Sequence, residues 1–183
     1  MKTFLEIGCA DFDTLIPLAE KRGWMGWCVE PVPYFTKKLT EMASGLPVAI
    51  CQQAISDYDG ELEMVTGQGV QWATGCSHAI GDNHVGRRLL EEEEHAHRQR
   101  EVIKVKCTTL DHFLAANQIH SIDFCKIDIE GHEETILKNY SWRVKPSFIK
   151  IEHWHSELST LTNILQRQGY TLFTERVDIY AVL

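Results

Sequence analysis

Two pairs of residues in this sequence have the types and the spacing to move a proton. Asp128 and Glu130 close the stretch Asp123-Phe124-Cys125-Lys126-Ile127-Asp128-Ile129-Glu130, just before Gly131. Glu152 and His153 close the stretch that begins at Ser147. A carboxylate or imidazole beside a bound hydroxyl or amine can take its proton. Acids grouped at one spot are costly unless they meet a ligand, a metal or a proton to transfer. His153 or Asp128 is the expected base, with Glu130 and Glu152 orienting it or the acceptor. The same groups offer a second chemistry. Asp128, Glu152 and His153 could hold Mg²⁺ or Mn²⁺, which lowers the pKa of a bound hydroxyl. Trp154 is a candidate wall for the acceptor.

These residues converge only if the two stretches are neighbouring strands, about 4.8 Å apart. Ile122, Phe124, Cys125, Ile127 and Ile129 are apolar, so burial on both faces is expected, the pattern of a central parallel strand. Asp128 and Glu130, two apart, are expected on one side of that strand as it ends. Elsewhere strand and helix alternate. Phe4 to Ile7 is a strand and Asp13 to Arg22 a helix with Asp13 as N-cap. Trp24 to Glu30 is a strand, Tyr34 to Ala43 a helix, and Pro47 to Ala54 a third strand. Thr109 caps a helix through Ala116. After the acid-tipped strand come a helix from His132 to Asn139, the strand Ser147 to Glu152, and a helix from Ser156 to Gln168. Such alternation predicts βαβ units around a parallel sheet, an α/β fold. Tyr170 to Thr174 and Asp178 to Val182 are joined so tightly that they must run antiparallel.

An insert over residues 57–107 interrupts the alternation. Glu61 to Thr66 and Val102 to Cys107 can pair as a hairpin around it. Gly67 to Gly86 lacks periodicity, and Arg87 to Arg100, with Glu91-Glu92-Glu93-Glu94, reads as a solvated helix. Within the insert, Trp72, Ser77, His78, Asn83 and His84 are polar or aromatic groups near a lid, and Ser77 and His78 are candidates to bind a hydroxylated substrate. His95 and His97 are expected on a solvated face. No repeat or linker interrupts residues 1–183, which read as one domain.

The other end of the expected sheet carries a ligand signal. Gly8 lies between the first strand and first helix, where a ligand can approach the backbone. Glu30 ends the second strand roughly 20 residues on, the place where an acid takes the hydroxyls of an adenosine ribose. The dinucleotide fingerprint needs three glycines, and this loop has only Gly8. Glu6 and Asp11 suit a ligand with an ammonium and a sulfonium better than a diphosphate. S-adenosylmethionine (SAM) is therefore preferred over a nicotinamide dinucleotide.

Four segments resemble the FkbM-like SAM-dependent methyltransferases: Phe4-Leu5-Glu6-Ile7-Gly8, Val29-Glu30-Pro31-Val32-Pro33, Ala54-Ile55-Ser56-Asp57 with Gly60, and Thr109-Leu110-Asp111 running on to Asp123 through Glu133. The Lys-Ile-Asp-x-Glu-Gly run is the most specific. The resemblance implies a Rossmann-like class I methyltransferase fold, a seven-stranded, mostly parallel sheet in the order 3-2-1-4-5-7-6, to which the insert adds a hairpin or lid. It also implies O-methylation as the commonest activity, and the leading expectation is O-methylation of a small-molecule or carbohydrate-type acceptor. Gly8 and its loop, Cys9, Ala10 and Asp11, would pass under the methionine part of SAM. Glu30 and Pro31 would border the ribose, Ala54 and Ile55 would flank the adenine, and Asp128 would close the site. Ala10 and Phe12 stand where such enzymes commonly have glycine or small residues. An N-methyltransferase would more often show Asn/Asp-Pro-Pro-aromatic after the fourth strand, which Asp128-Ile129-Glu130-Gly131 does not match. A scaffold that binds SAM without turnover is the other alternative.

Composition bounds the rest. A net charge of -8, from 18 basic and 26 acidic side chains, argues against nucleic acid as a partner, because such binding needs a basic surface. No apolar run approaches the roughly 20 residues of a membrane span. Met1-Lys2-Thr3 leads directly into a strand, so no leader and a cytoplasmic location are expected. None of the six cysteines forms a Cys-x-x-Cys pair, and buried free thiols are expected.

Overall fold

The apolar stretches form strands and the amphipathic ones helices, in alternation. The computed structural model describes residues 1–67, 78–79 and 100–183. In chain order these form β1 (Thr3–Ile7), α1 (Ile16–Arg22), β2 (Met25–Val29), α2 (Pro33–Met42), β3 (Val48–Cys51), β4 (Ala54–Ser56), β5 (Gly60–Gly67), β6 (His78–Ala79), β7 (Arg100–Thr109), α3 (Leu110–Ala116), β8 (Phe124–Ile127), α4 (Glu133–Asn139), β9 (Phe148–Glu152), α5 (Leu158–Arg167), β10 (Thr171–Glu175) and β11 (Asp178–Val182).

Seven strands make the main sheet, in the order β3-β2-β1-β8-β9-β11-β10. Counting only these seven, the order is 3-2-1-4-5-7-6. The pairs β1–β2, β1–β8, β2–β3 and β8–β9 are parallel, and β11 runs antiparallel to both β9 and β10. Side chains alternate across the sheet. Leu5, Ile7, Cys125, Ile127, Ile149 and Ile151 pack with Phe113 of α3, Ile136 and Leu137 of α4, and Leu161 and Leu165 of α5. Phe4 and Cys28 pack on the opposite face with Ile16 and Ala19 of α1 and Leu39 of α2. The described cysteines Cys9, Cys28, Cys51, Cys107 and Cys125 are free thiols.

A smaller sheet of β4, β7, β5 and β6 stands beside the main one. Glu61 to Thr66 pairs with Glu101 to Lys106 as the expected hairpin. Its apolar side buries Leu62, Met64, Ala79, Val105 and Cys107. Residues 87–99 of the expected solvated helix, Trp72, Ser77, Asn83, His84, His95 and His97 lie outside the described residues, as does the His78 side chain. Among the described residues, no helix is long and apolar enough to cross a membrane.

The structure corrects three local expectations. Pro47 to Ala54 is not one strand. β3 joins the main sheet and β4 the small one, with Gln52 and Gln53 carrying the chain between them. Asp13 does not cap α1; the cap position is Leu15, and Asp13 adopts a left-handed φ of 50°. The Leu15 N–H instead donates to Glu6 Oε2 at 2.8 Å, because a buried glutamate on β1 needs a donor. β8 ends at Ile127, so Asp128 and Glu130 lie beyond the strand, and the pleat does not set their common direction. Thr109 does cap its helix, accepting from the His112 N–H.

Candidate active site

The C-terminal ends of β1, β2 and β8 open on a cleft, where ligands bind in open α/β sheets. Its lining includes Gly8, Cys9, Ala10 and Phe12 from the loop after β1, and Glu30 and Pro31 after β2. Gln53, Ala54 and Ile55 come from the crossing to the small sheet, and Leu62, Met64 and Ala79 from that sheet. Lys126, Asp128, Ile129, Glu130, His132 and Glu152 complete it.

Gly8 is required by geometry. Its φ is 79°, and a Cβ there would sit 1.8 Å from the Asp128 carbonyl oxygen. Its N–H donates to the Val29 carbonyl while Asp128 N–H donates to Ile7, so three strand ends are tied at this point. Glu30 is buried and holds the loop. Its Oε2 accepts from the N–H groups of Cys9 (3.2 Å) and Ala10 (3.0 Å), and its Oε1 from Val32 (2.9 Å). Burial raises its pKa, and these three donors work in the other direction. A carboxylate offers about four acceptor positions, so one remains after these three.

Asp128, Glu130 and Glu152 come together: one carboxylate oxygen from each lies within 4.8 Å of the others. Burial is the main cause that pushes Glu152 up to about 8, and Asp128 and Glu130 add to it. Burial also raises Asp128, against the pull of Lys126. Glu130 has a left-handed φ of 54°. The buried Glu133 holds its turn, accepting from the N–H groups of Ile129 (2.9 Å) and Gly131 (3.1 Å) and from Ser156 Oγ (2.6 Å). His155 Nε2 lies 3.3 Å from Glu130 Oε2. His132 Nε2 is 3.1 Å from Ser56 Oγ, and burial lowers its pKa against the opposing pull of Asp57.

Several expected site residues lie elsewhere. His153 does not line the cleft, because successive residues of an extended chain face opposite ways and Glu152 takes the inward position. The metal set of Asp128, Glu152 and His153 is therefore not assembled; Glu130 stands in the third place. Trp154 is 66% exposed and lies against His155 rather than along the cleft. Asp11 pairs with Lys38, and Glu6 lies fully buried under the loop; neither lines the cleft. The site also takes in Lys126, His132, Glu133 and His155, none of them among the residues expected there. Lys126 carried a signal: a lysine inside an apolar strand must find an anion.

The strand order of the main sheet is that of a Rossmann-like methyltransferase fold. The chain belongs to the Methyltransferase FkbM domain family, whose model matches residues 6–172. No curated protein sequence matches it. Among solved structures it is similar to a Methanococcus jannaschii fibrillarin, a pre-rRNA processing protein, at 12% identity and a TM-score of 0.46. That match covers 99% of this chain and 65% of the fibrillarin chain. The family implies SAM, and the residues present fit it. The cleft offers an apolar lining at Ala54, Ile55, Leu62 and Met64, an acceptor at Glu30, and carboxyl groups at Asp128 and Glu130 that can face a cationic group.

Proposed function

We propose that this protein methylates a hydroxyl of a small-molecule or carbohydrate-type acceptor. SAM supplies an electrophilic methyl for in-line displacement. The chain's part is to hold donor and acceptor in line and to take the acceptor's proton. In this reading Gly8, Cys9 and Ala10 form the floor under the donor, Glu30 accepts from its ribose, and Ala54 and Ile55 flank its base. Asp128 takes the proton, while Glu130 and Glu152 orient the hydroxyl.

The observation that carries the reading is the convergence of three acid oxygens within 4.8 Å of one another in the cleft that Gly8 and Glu30 border. Their chemistry suits an acceptor that donates hydrogen bonds and gives up a proton. The test has two parts. Calorimetric titration with SAM should give saturable binding, which Glu30→Ala weakens. Release of S-adenosylhomocysteine should then depend on a hydroxylated acceptor from a panel of sugars and phenols. Turnover confined to amines would replace the hydroxyl reading, and SAM binding without turnover on any acceptor would favour a scaffold. The same oxygen spacing supports a second reading, in which Asp128, Glu130 and Glu152 hold Mg²⁺ or Mn²⁺ and lower the acceptor's pKa.

A further inference from the structure

Lys126 occupies the middle of β8, yet its side chain is only 5% exposed. A buried ammonium persists only with partners. It has four oxygens around it. Nζ donates to the Asp13 carbonyl at 2.8 Å and lies 3.3 Å from Asp13 Oδ2, 3.6 Å from Glu6 Oε1 and 3.7 Å from Asp128 Oδ2. Glu6, Lys126 and Lys150 sit side by side across β1, β8 and β9. Lys150 reaches the same Asp13 carboxylate at 3.6 Å. Asp13 belongs to the loop that begins at Gly8, whose other anchors include Glu30 at Cys9 and Ala10, Lys38 at Asp11, and Glu6 at Leu15.

We propose that Lys126 is a positioning residue: it clasps the far half of the cofactor loop, through Asp13, to the strand that carries Asp128, so that the loop is held in its binding shape before SAM arrives. The inference rests on the reading of this loop as the SAM floor. Glu30 fixes the near half of the loop and Lys126 the far half. The left-handed φ of 50° at Asp13 turns its carbonyl and carboxylate onto the two lysines. Asp128 shares the same ammonium, so the floor and the proposed base are aligned by one charge. Lys126 touches neither acceptor nor methyl in this scheme, and its contribution is to order the loop.

The perturbation is Lys126→Met, which keeps the length and removes the charge. If the loop then holds its binding shape about one tenth of the time, the apparent Kd for SAM rises about tenfold. Amide hydrogen exchange of residues 9–15 in the protein without SAM should speed up about tenfold, while β1 and β8 stay protected. KM for SAM should rise more than kcat falls. The double variant Lys126→Met/Glu6→Gln, which also removes the fully buried carboxylate facing the methionine, should regain thermal stability but keep the fast loop exchange. Asp13→Ala changes a side chain that is 72% exposed, and it should also speed loop exchange in a fully folded protein. The proposal is overturned if loop exchange in Asp13→Ala and in either Lys126 variant stays within about twofold of wild type, or if exchange rises equally across β1 and β8. Absence of SAM binding by the wild type would remove the functional reading, while loop exchange would still decide the clasp.

Discussion

Glu6 makes a strong prediction about stability against pH. Its side chain is fully buried, its Oε2 accepts the Leu15 N–H, and its Oε1 has no hydrogen-bond partner. Burial pushes its pKa up to about 7 from the ordinary 4.5, and Lys126 offsets only part of that. The unfolded chain gives up this proton near pH 4.5, whereas the folded chain keeps it until about pH 7. Between those values the native state binds more protons, so stability falls as pH rises. At about 1.4 kcal/mol per pH unit, the loss is worth about 3 kcal/mol. Glu6→Gln keeps an oxygen for Leu15 and removes the titration. Urea unfolding of both proteins at half-unit steps from pH 4 to pH 8.5 isolates the effect, since other titrations largely cancel in the difference. Wild-type stability minus variant stability should fall by about 3 kcal/mol from pH 4.5 to pH 8. A difference flat within about 0.5 kcal/mol, or one that grows with pH, would show that Glu6 enters the folded state ionised.

Further outcomes are expected at the cleft. Gly8→Ala drives a Cβ into the Asp128 carbonyl at a left-handed φ; it should cost about 2–4 kcal/mol in thermal unfolding and abolish SAM binding. Asp128→Asn should lower kcat by about 10²–10⁴-fold, more than it weakens SAM, as measured by single-turnover release of S-adenosylhomocysteine; near-normal turnover would remove Asp128 as the base. Glu30→Gln sets an amide N–H₂ against backbone donors that a carboxylate now accepts, and about 1–3 kcal/mol of stability should be lost in denaturant titration. Treatment with a chelator, followed by Mg²⁺ or Mn²⁺, distinguishes the two readings of the acid cluster. Activity that survives metal stripping leaves direct proton transfer, and activity restored only by the metal supports the ion.

Much of the main sheet was legible because burial on both faces writes itself into composition. The β8 stretch has apolar residues on both sides, and its neighbours alternate with helices at βαβ spacing, so a parallel sheet follows. The cap at Thr109 and the hairpin around the insert rest on local chemistry and local pairing. The sequence was illegible where the outcome depended on a distant partner. Asp13 looks like a cap because it precedes a helical pattern, but Lys126 is 113 residues away and captures it. Pro47 to Ala54 looks like one strand because its apolar content is continuous, but two sheets compete for it. Glu152 and His153 are adjacent in sequence and divergent in space.

The order of residues along the chain determined the alternation of elements, the glycine at the first turn, the acid ending the second strand, and the two acid-tipped stretches. Each depends on periodicity or on steric needs felt within a few residues. Only the folded chain decided which acids meet, which histidine faces Glu130, and how the loop after β1 is held. Those outcomes turn on ångström distances between strands β1, β8 and β9 and on the demand of buried charges for partners, and neither leaves a mark in local sequence.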